Sequence, residues 1–185
     1  GRSFIRPEYQ KGFKPLMLLW RGISNFAAKQ RRYRHCFGVV TISNEYTETS
    51  KELMTRFLVQ TEMLESHRSL VSSRTPFTPQ PTEGIDVSAL LKGCVTIEDV
   101  DELVRELEQT KVGVPVLVRQ YLKLNAKLLA PFNVDRTFEN CIDGLMLVDF
   151  MQVERRIAHF YLGRELALAF RAHHGFEPFD DSSDD

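Results

Sequence analysis

The sequence predicts a mixed α/β domain, α/β or α+β, and three observations predict it. Two stretches read as strands: 37–43 is apolar and β-branched, and 142–150 is an apolar run whose length and bounding acidic residues favour a strand over a helix. Between them lie segments whose apolar residues recur at three, four and seven positions, the period of a half-buried helix. The resulting order is β-α-β-α, an irregular stretch, then α-α-β-α, with no internal repeat.

The chain opens GRSFIRPEYQ, in which Arg2 to Arg6 sets charged or small residues against apolar ones and reads as a half-buried strand, until Pro7 ends the ladder. Residues 13–28 read as a helix, with Pro15 tolerated in its first turn. Its buried face is expected to carry Leu16, Leu19, Trp20, Ile23, Phe26 and Ala27. FGVVTIS, 37–43, suits a strand covered on both faces. Thr49 and Glu52 form a capping box that opens a helix to about Glu65, with Leu53, Phe57 and Leu64 inward. Residues 68–92 contain RTPFTPQPTEG, whose three prolines rule out long regular structure and suggest a lid or an insertion.

Thr96 then caps a helix with Val100, Leu103, Val104 and Leu107 on its inner face. After Gly113 and Pro115, a helix over 115–129 aligns Leu117, Tyr121, Leu124 and Leu128. The loop APFNVDRTFENC leads into the strand 142–150, and a helix over 154–173 ends before Gly175. Residues 1–175 thus form the domain, and 176–185 an acidic, disordered tail. Three strands make a short sheet for 185 residues, which reads as strands missing from the front.

Net charge is −1, so no global field favours nucleic acid or an anionic surface. The run KQRRYRH, 29–35, has two readings: a solvated helix end, or a docking patch for an anionic partner. Cys36, Cys94 and Cys141 are widely spaced and form no CxxC pair, which suggests neither zinc nor disulfides and fits a reducing, cytoplasmic setting. The run Leu16–Trp20 is far too short to span a bilayer, and no signal peptide is visible. Nucleophile elbow, P-loop, HExxH and Rossmann glycines are all absent. His173 and His174, near a helix end, read as dipole partners rather than a ligand pair, and no metal site is expected.

Three stretches carry a family resemblance. GRSFIRPEY followed by MLLWRGI, then RYRHCFGVVTISNEY, then VPVLVRQYLKLNAKLLAPFNVDRTFENCIDGLMLVDF resemble the hemolysin-like, ornithine lipid synthase-type acyltransferases of bacteria. These are GNAT-type N-acyltransferases related to acyl-homoserine lactone synthases. The resemblance runs from residue 1 to about 170, weakly over 68–92, and covers the C-terminal portion of the family's fold. It implies a central mixed sheet flanked by helices, with the strands 1–6 and 37–43 splayed around the pantetheine arm of the donor.

The implied activity is transfer of a fatty acyl group from acyl carrier protein to an amino acid amine, as in ornithine lipid biosynthesis. The acyl-carrier-protein thioester is a substrate, and no cofactor is bound permanently. Implied partners are the carrier protein, an amino acid or aminolipid acceptor, and a peripheral membrane surface, at the cytoplasmic face; nucleic acid is not among them. In the related lactone synthases a Glu two residues before the matching Arg belongs to the active site. Here it would precede Gly1, so the segment alone is expected to be inactive.

The implied catalytic residues are Arg2, which would position an anionic group or the donor carbonyl, and Ser3, which would bond the thioester or the amine; both also suit a plain surface strand. Phe4 and Arg6 would accompany them at the acyl donor. Arg119, Lys123 and Lys127, four apart beside Tyr121, form either a stripe for an acidic carrier protein or head groups, or the solvent side of a helix. Asn125-Ala126 replaces the glycine pair usual in the family's LKLGGK. Asn133 and Asp135 brace the loop before the last strand or touch the acceptor amine, while Asp143 and Asp149 read as turn and strand-end residues. The alternative function is a non-catalytic domain that docks carrier protein or membrane beside a lysophospholipid acyltransferase.

Overall fold

A computed structural model describes residues 5–9, 12–67, 69–80 and 82–179. Its elements are α1 (Phe13–Gln30), β1 (His35–Ile42), α2 (Glu48–Glu62), α3 (Val87–Leu91), α4 (Ile97–Glu108) and α5 (Val116–Lys123). They continue with β2 (Lys127–Leu128), β3 (Asn133–Asp135), β4 (Cys141–Asp149), α6 (Arg155–Leu162) and α7 (Arg164–His173). The chain is therefore mixed α/β. It forms two compact units, one of the described residues up to Cys36 with those from Asp149 onward, the other Phe37–Val148.

In the larger unit the sheet order is β1-β4-β2, with β3 also on β4. The expected mixed sheet is instead an antiparallel one; among the described residues, an isolated parallel bridge joins Met63 and Leu128. β2 and β3 share one edge of β4, Leu128 opposite Met146 and Asn133 opposite Asp143. Between these pairs, residues 129–132 face only Gly144 and Leu145, and the Leu129 N–H still donates to the Leu145 carbonyl at 2.9 Å. Pro131, which has no N–H to contribute, lies in this bulge.

One face of the sheet is covered. Val40 and Ile42 of β1 and Ile142, Met146 and Val148 of β4 are buried there with Leu53, Met54, Phe57 and Leu58 of α2. Two glycines on that face admit aromatic rings: a Cβ on Gly38 would collide with the Tyr121 hydroxyl, and one on Gly144 would stand 2.6 Å from Phe132 Cε1. Beyond the sheet, Thr96 caps α4 as expected, and with Asp99 it forms a capping box. α2 starts differently from expectation. Thr47, not Thr49, is its N-cap, accepting from the Ser50 N–H, so Thr49 and Glu52 lie inside the helix. The helix expected over 115–129 ends at Lys123, because Asn125 turns left-handed (φ 54°) and sends Lys127–Leu128 into the sheet.

The described residues of 68–92 run mostly without regular structure, apart from α3. Part of the segment straps the outer edge of β3. The Val134 N–H donates to the Thr75 carbonyl, the Phe77 N–H to that of Phe132, and Ser73 Oγ to that of Pro131. This fixes it as an edge strap over this length rather than an open lid.

The smaller unit packs α1 against α6 and α7. Trp20, Ser24, Ala27 and Ala28 face inward, and Asn25 Nδ2 donates to the Tyr161 carbonyl at 3.0 Å. Phe26, expected inside, points outward. The single C-terminal helix expected over 154–173 is two, broken at Gly163, whose φ of 78° suits glycine. Gly175 follows the last helix as expected, also left-handed. The opening strand falls mostly outside the described residues; Ile5 and Arg6 are in no strand, and Pro7–Tyr9 is a 3-10 turn.

Arg34 grips Asp149 with two parallel bonds, Nε to Oδ1 at 2.8 Å and Nη2 to Oδ2 at 2.5 Å. The same guanidinium lies over the ring of Phe176, and Arg171 lies over Phe179 and donates to the Glu177 carbonyl. Residues 176–179 thus pack against the unit instead of beginning a disordered tail. Burial alone would raise the Asp149 pKa, but the Arg34 bonds, the Met151 N–H and the Arg34 charge outweigh it and hold it below its ordinary 3.8.

Two outcomes follow from this packing. Gly144→Ala forces Phe132 to move and should cost about 1–3 kcal/mol in urea denaturation, part of which Phe132→Leu restores. A depressed carboxylate contributes stability that is present above its unfolded pKa and is lost as pH falls through its folded one. Below about pH 4 the protein should therefore lose stability more steeply than the Asp149→Asn variant does, as measured by denaturation midpoints across pH.

Candidate functional site

β1 alternates in exposure: Val40 and Ile42 are buried, whereas Phe37, Val39 and Thr41 face solvent. Phe37 is 72% and Val39 50% exposed, so the strand expected to be covered on both faces is covered on one. On β4 the half-buried residues Asp143, Leu145 and Leu147 form the corresponding row. Thr41 Oγ1 donates to Asp143 Oδ1 at 2.7 Å and joins the two rows on one face. Directly opposite Asp143 stands Asn133, and opposite Leu147 stands Lys127.

The open face therefore has an apolar centre of Phe37, Val39, Leu145 and Leu147. Thr41, Asp143 and Asn133 form a polar end, and the Lys127–Glu62 ion pair, at 2.7 Å, lies at the other. Such a strip suits a hydrocarbon chain, since each methylene it shields contributes about 0.8 kcal/mol. The polar end suits an amine. One hydroxyl uses only part of the accepting capacity of the Asp143 carboxylate. Asp143 is thus a residue within a strand, not the turn or strand-end residue expected; Asp149 does end β4.

The expected site residues separate. Arg2, Ser3 and Phe4 lie outside the described residues. Arg6 is exposed and pairs with Glu8 at 2.5 Å. Arg119, Lys123 and Lys127 do not form a stripe, because α5 ends before Lys127 and β2 carries that residue to Glu62. Lys123 is exposed, while Arg119 turns inward, its Nε 3.7 Å from Asp101 Oδ1, too long for a hydrogen bond. Asp101 also accepts from the Val114 N–H at 2.8 Å and from Arg105 Nε at 2.9 Å, so it ties α4 to the start of α5.

Tyr121 is buried over Gly38. Asn133 Oδ1 accepts from the Thr75 N–H, and Asp135 accepts from the Thr137 hydroxyl and N–H. Those bonds, the Thr137 hydroxyl first, hold the Asp135 carboxyl below its usual range. Asn133 thus ties β3 to the strap, and Asp135 braces the turn that follows β3. His173 and His174 stack edge to face at the end of α7.

Sequence reasoning does not single out Thr41 and takes Asp143 for a turn or strand-end residue. The period-two alternation of FGVVTIS carried the signal, since it separates Phe37, Val39 and Thr41 from Val40 and Ile42. Comparison with protein-family models, with curated proteins and with solved structures gives no match.

Removing Asp101 leaves the Val114 N–H and a guanidinium without their acceptor. Asp101→Ala should therefore cost about 3 kcal/mol in stability. Lys123→Ala, on the exposed side of α5, should change it by less than about 0.5 kcal/mol. Equal small effects in urea titrations would mean that Asp101 does not organise this corner.

Proposed function

We propose that the chain is part of an acyl-carrier-protein-dependent N-acyltransferase that moves a fatty acyl group onto an amino acid amine of the ornithine type. The observation that carries this reading is the meeting of two separate resembling stretches in one unit. Gly38 lies beneath Tyr121, and Thr41 bonds Asp143 at the end of an uncovered apolar strip. Asn125 adds support: its left-handed backbone is the conformation that the first glycine of the family's LKLGGK would adopt readily. The proposed fold is GNAT-like, with the pantetheine arm entering beside β1.

In the proposed reaction the neutral amine nitrogen attacks the thioester carbonyl. The C–N bond forms and the C–S bond breaks, and the carrier's pantetheine leaves as a thiol with the proton released by the amine. The strip would hold the acyl chain, while the Thr41–Asp143 pair would orient the amine, so that catalysis rests largely on positioning. Arg2 and Ser3 belong to the donor side of this proposal, with Phe4 and Arg6. A carrier-protein substrate puts the reaction in the cytoplasm. The second reading, a non-catalytic docking domain, draws on the basic run at residues 29–35.

The full-length protein as encoded, incubated with long-chain acyl carrier protein and ornithine, should yield N-acyl ornithine by mass spectrometry. Phe37→Glu with Val39→Glu should raise KM for the acyl donor about tenfold or more while the protein stays folded. Carrier-protein binding without any amide product would favour the docking domain. Turnover indifferent to Phe37 and Val39 would remove the strip from the site.

A further inference from the structure

Residues 9–44 contain no acidic side chain and seven Lys or Arg, which leaves 17 basic against 25 acidic residues in the rest of the chain. The near-zero net charge therefore conceals a strongly cationic stretch, and α1 is its longest element. Helix periodicity places Leu18, Gly22 and Phe26 on the side of α1 opposite Trp20, Ser24 and Ala27. Leu18 is 58% and Phe26 60% exposed.

Leu18, Leu19, Gly22, Ile23 and Phe26 line a shallow groove of about 390 Å³. A Cβ on Gly22 would meet nothing, so the groove is open at its centre. Tyr33 stacks on Phe26 and extends the apolar surface, with Arg32 over its ring. Lys14, Arg21 and Lys29 lie along one flank, exposed, and Arg31 follows at the helix end. None of these four cations has an ion-pair partner among the described residues.

We infer that this face of α1 docks on the surface of an anionic lipid bilayer. A helix with a large apolar outer stripe, aromatic rings and cations on the flank lies in the interface plane, its stripe among the upper acyl chains. The cations meet anionic head groups, each contributing about 1 kcal/mol close to the surface. No helix among the described residues is long and apolar enough to cross a membrane, so the contact lies on the bilayer rather than through it. An acidic protein could match the cations, but it would leave Leu18 and Phe26 to a partner pocket, whereas a bilayer accepts both features at once. The inference is independent of acyl transfer: a docked protein can lack that activity, and an active one can fail to dock.

The test is flotation of the full chain with phosphatidylcholine vesicles and with the same vesicles containing phosphatidylglycerol. Binding should require phosphatidylglycerol and fall at high salt. Arg21→Ala with Lys29→Ala should weaken it roughly 30-fold, and Leu18→Ser with Phe26→Ser should abolish it. Val95→Ser, at an exposed apolar residue in the loop before α4, should leave it unchanged. Circular dichroism and the emission of buried Trp20 should show each variant folded, and proteolysis kinetics provide a second check.

Equal binding to both vesicles, or none to either, overturns the inference. So does vesicle binding that survives loss of Leu18 and Phe26. Self-association that those two substitutions abolish, without vesicle binding, would assign the face to a second copy instead. Retention by carrier protein alone, lost with Arg21 and Lys29, would assign it to that protein.

Discussion

Two absent side chains set the geometry of the larger unit. Gly38 on β1 and Gly144 on β4 leave the covered face of the sheet low at two points, and Tyr121 and Phe132 occupy them. Tyr121 fixes the end of α5 to the first strand of the sheet. Phe132 secures the bulge that lets β2 and β3 share one edge of β4. Because rings fill that side, the strand residues of opposite parity are displayed on the other, and the row from Phe37 to Thr41 emerges there. Close packing on one face thus determines which side chains the other presents.

Much of this was legible in the sequence where one local signal dominates. The cap at Thr96, the helix punctuated by Pro15 and the strand before Asp149 all rest on short-range chemistry. Misreadings arose where tertiary contacts decide. Residues 115–129 carry a helical period throughout, yet a strand position for Lys127–Leu128 next to β4 outweighs it. Phe26 is apolar and correctly spaced for the core, but the small residues Ser24, Ala27 and Ala28 let α1 approach its neighbours closely and leave the ring outside. Periodicity does not distinguish a buried stripe from an exposed one when both faces are apolar.

The candidate site shows the same division. Asp135 behaves as turn chemistry predicts, because an Asp oxygen reaches the N–H two residues on, whereas Asn133 accepts from Thr75, 58 residues away. Arg119 was read from spacing alone. Its partner, Asp101, lies on another helix, a relation that no local window contains. Thr41 and Asp143 are 102 residues apart and meet only through the sheet.

The strap at residues 73–77 has a further consequence. Exposed edge strands template pairing with other chains, and proteins protect them with prolines or covering segments. Here the Thr75 carbonyl and the Phe77 N–H occupy the outer edge of β3, with Pro76 between them. Met63 and Leu64 do the same for β2, the Leu64 N–H donating to the Leu128 carbonyl. A proline-rich stretch that looks dispensable thus acts as a guard against intermolecular sheet growth. A chain trimmed of it would keep its core residues but gain a sticky margin, and its failure would show first as concentration-dependent aggregation rather than as unfolding.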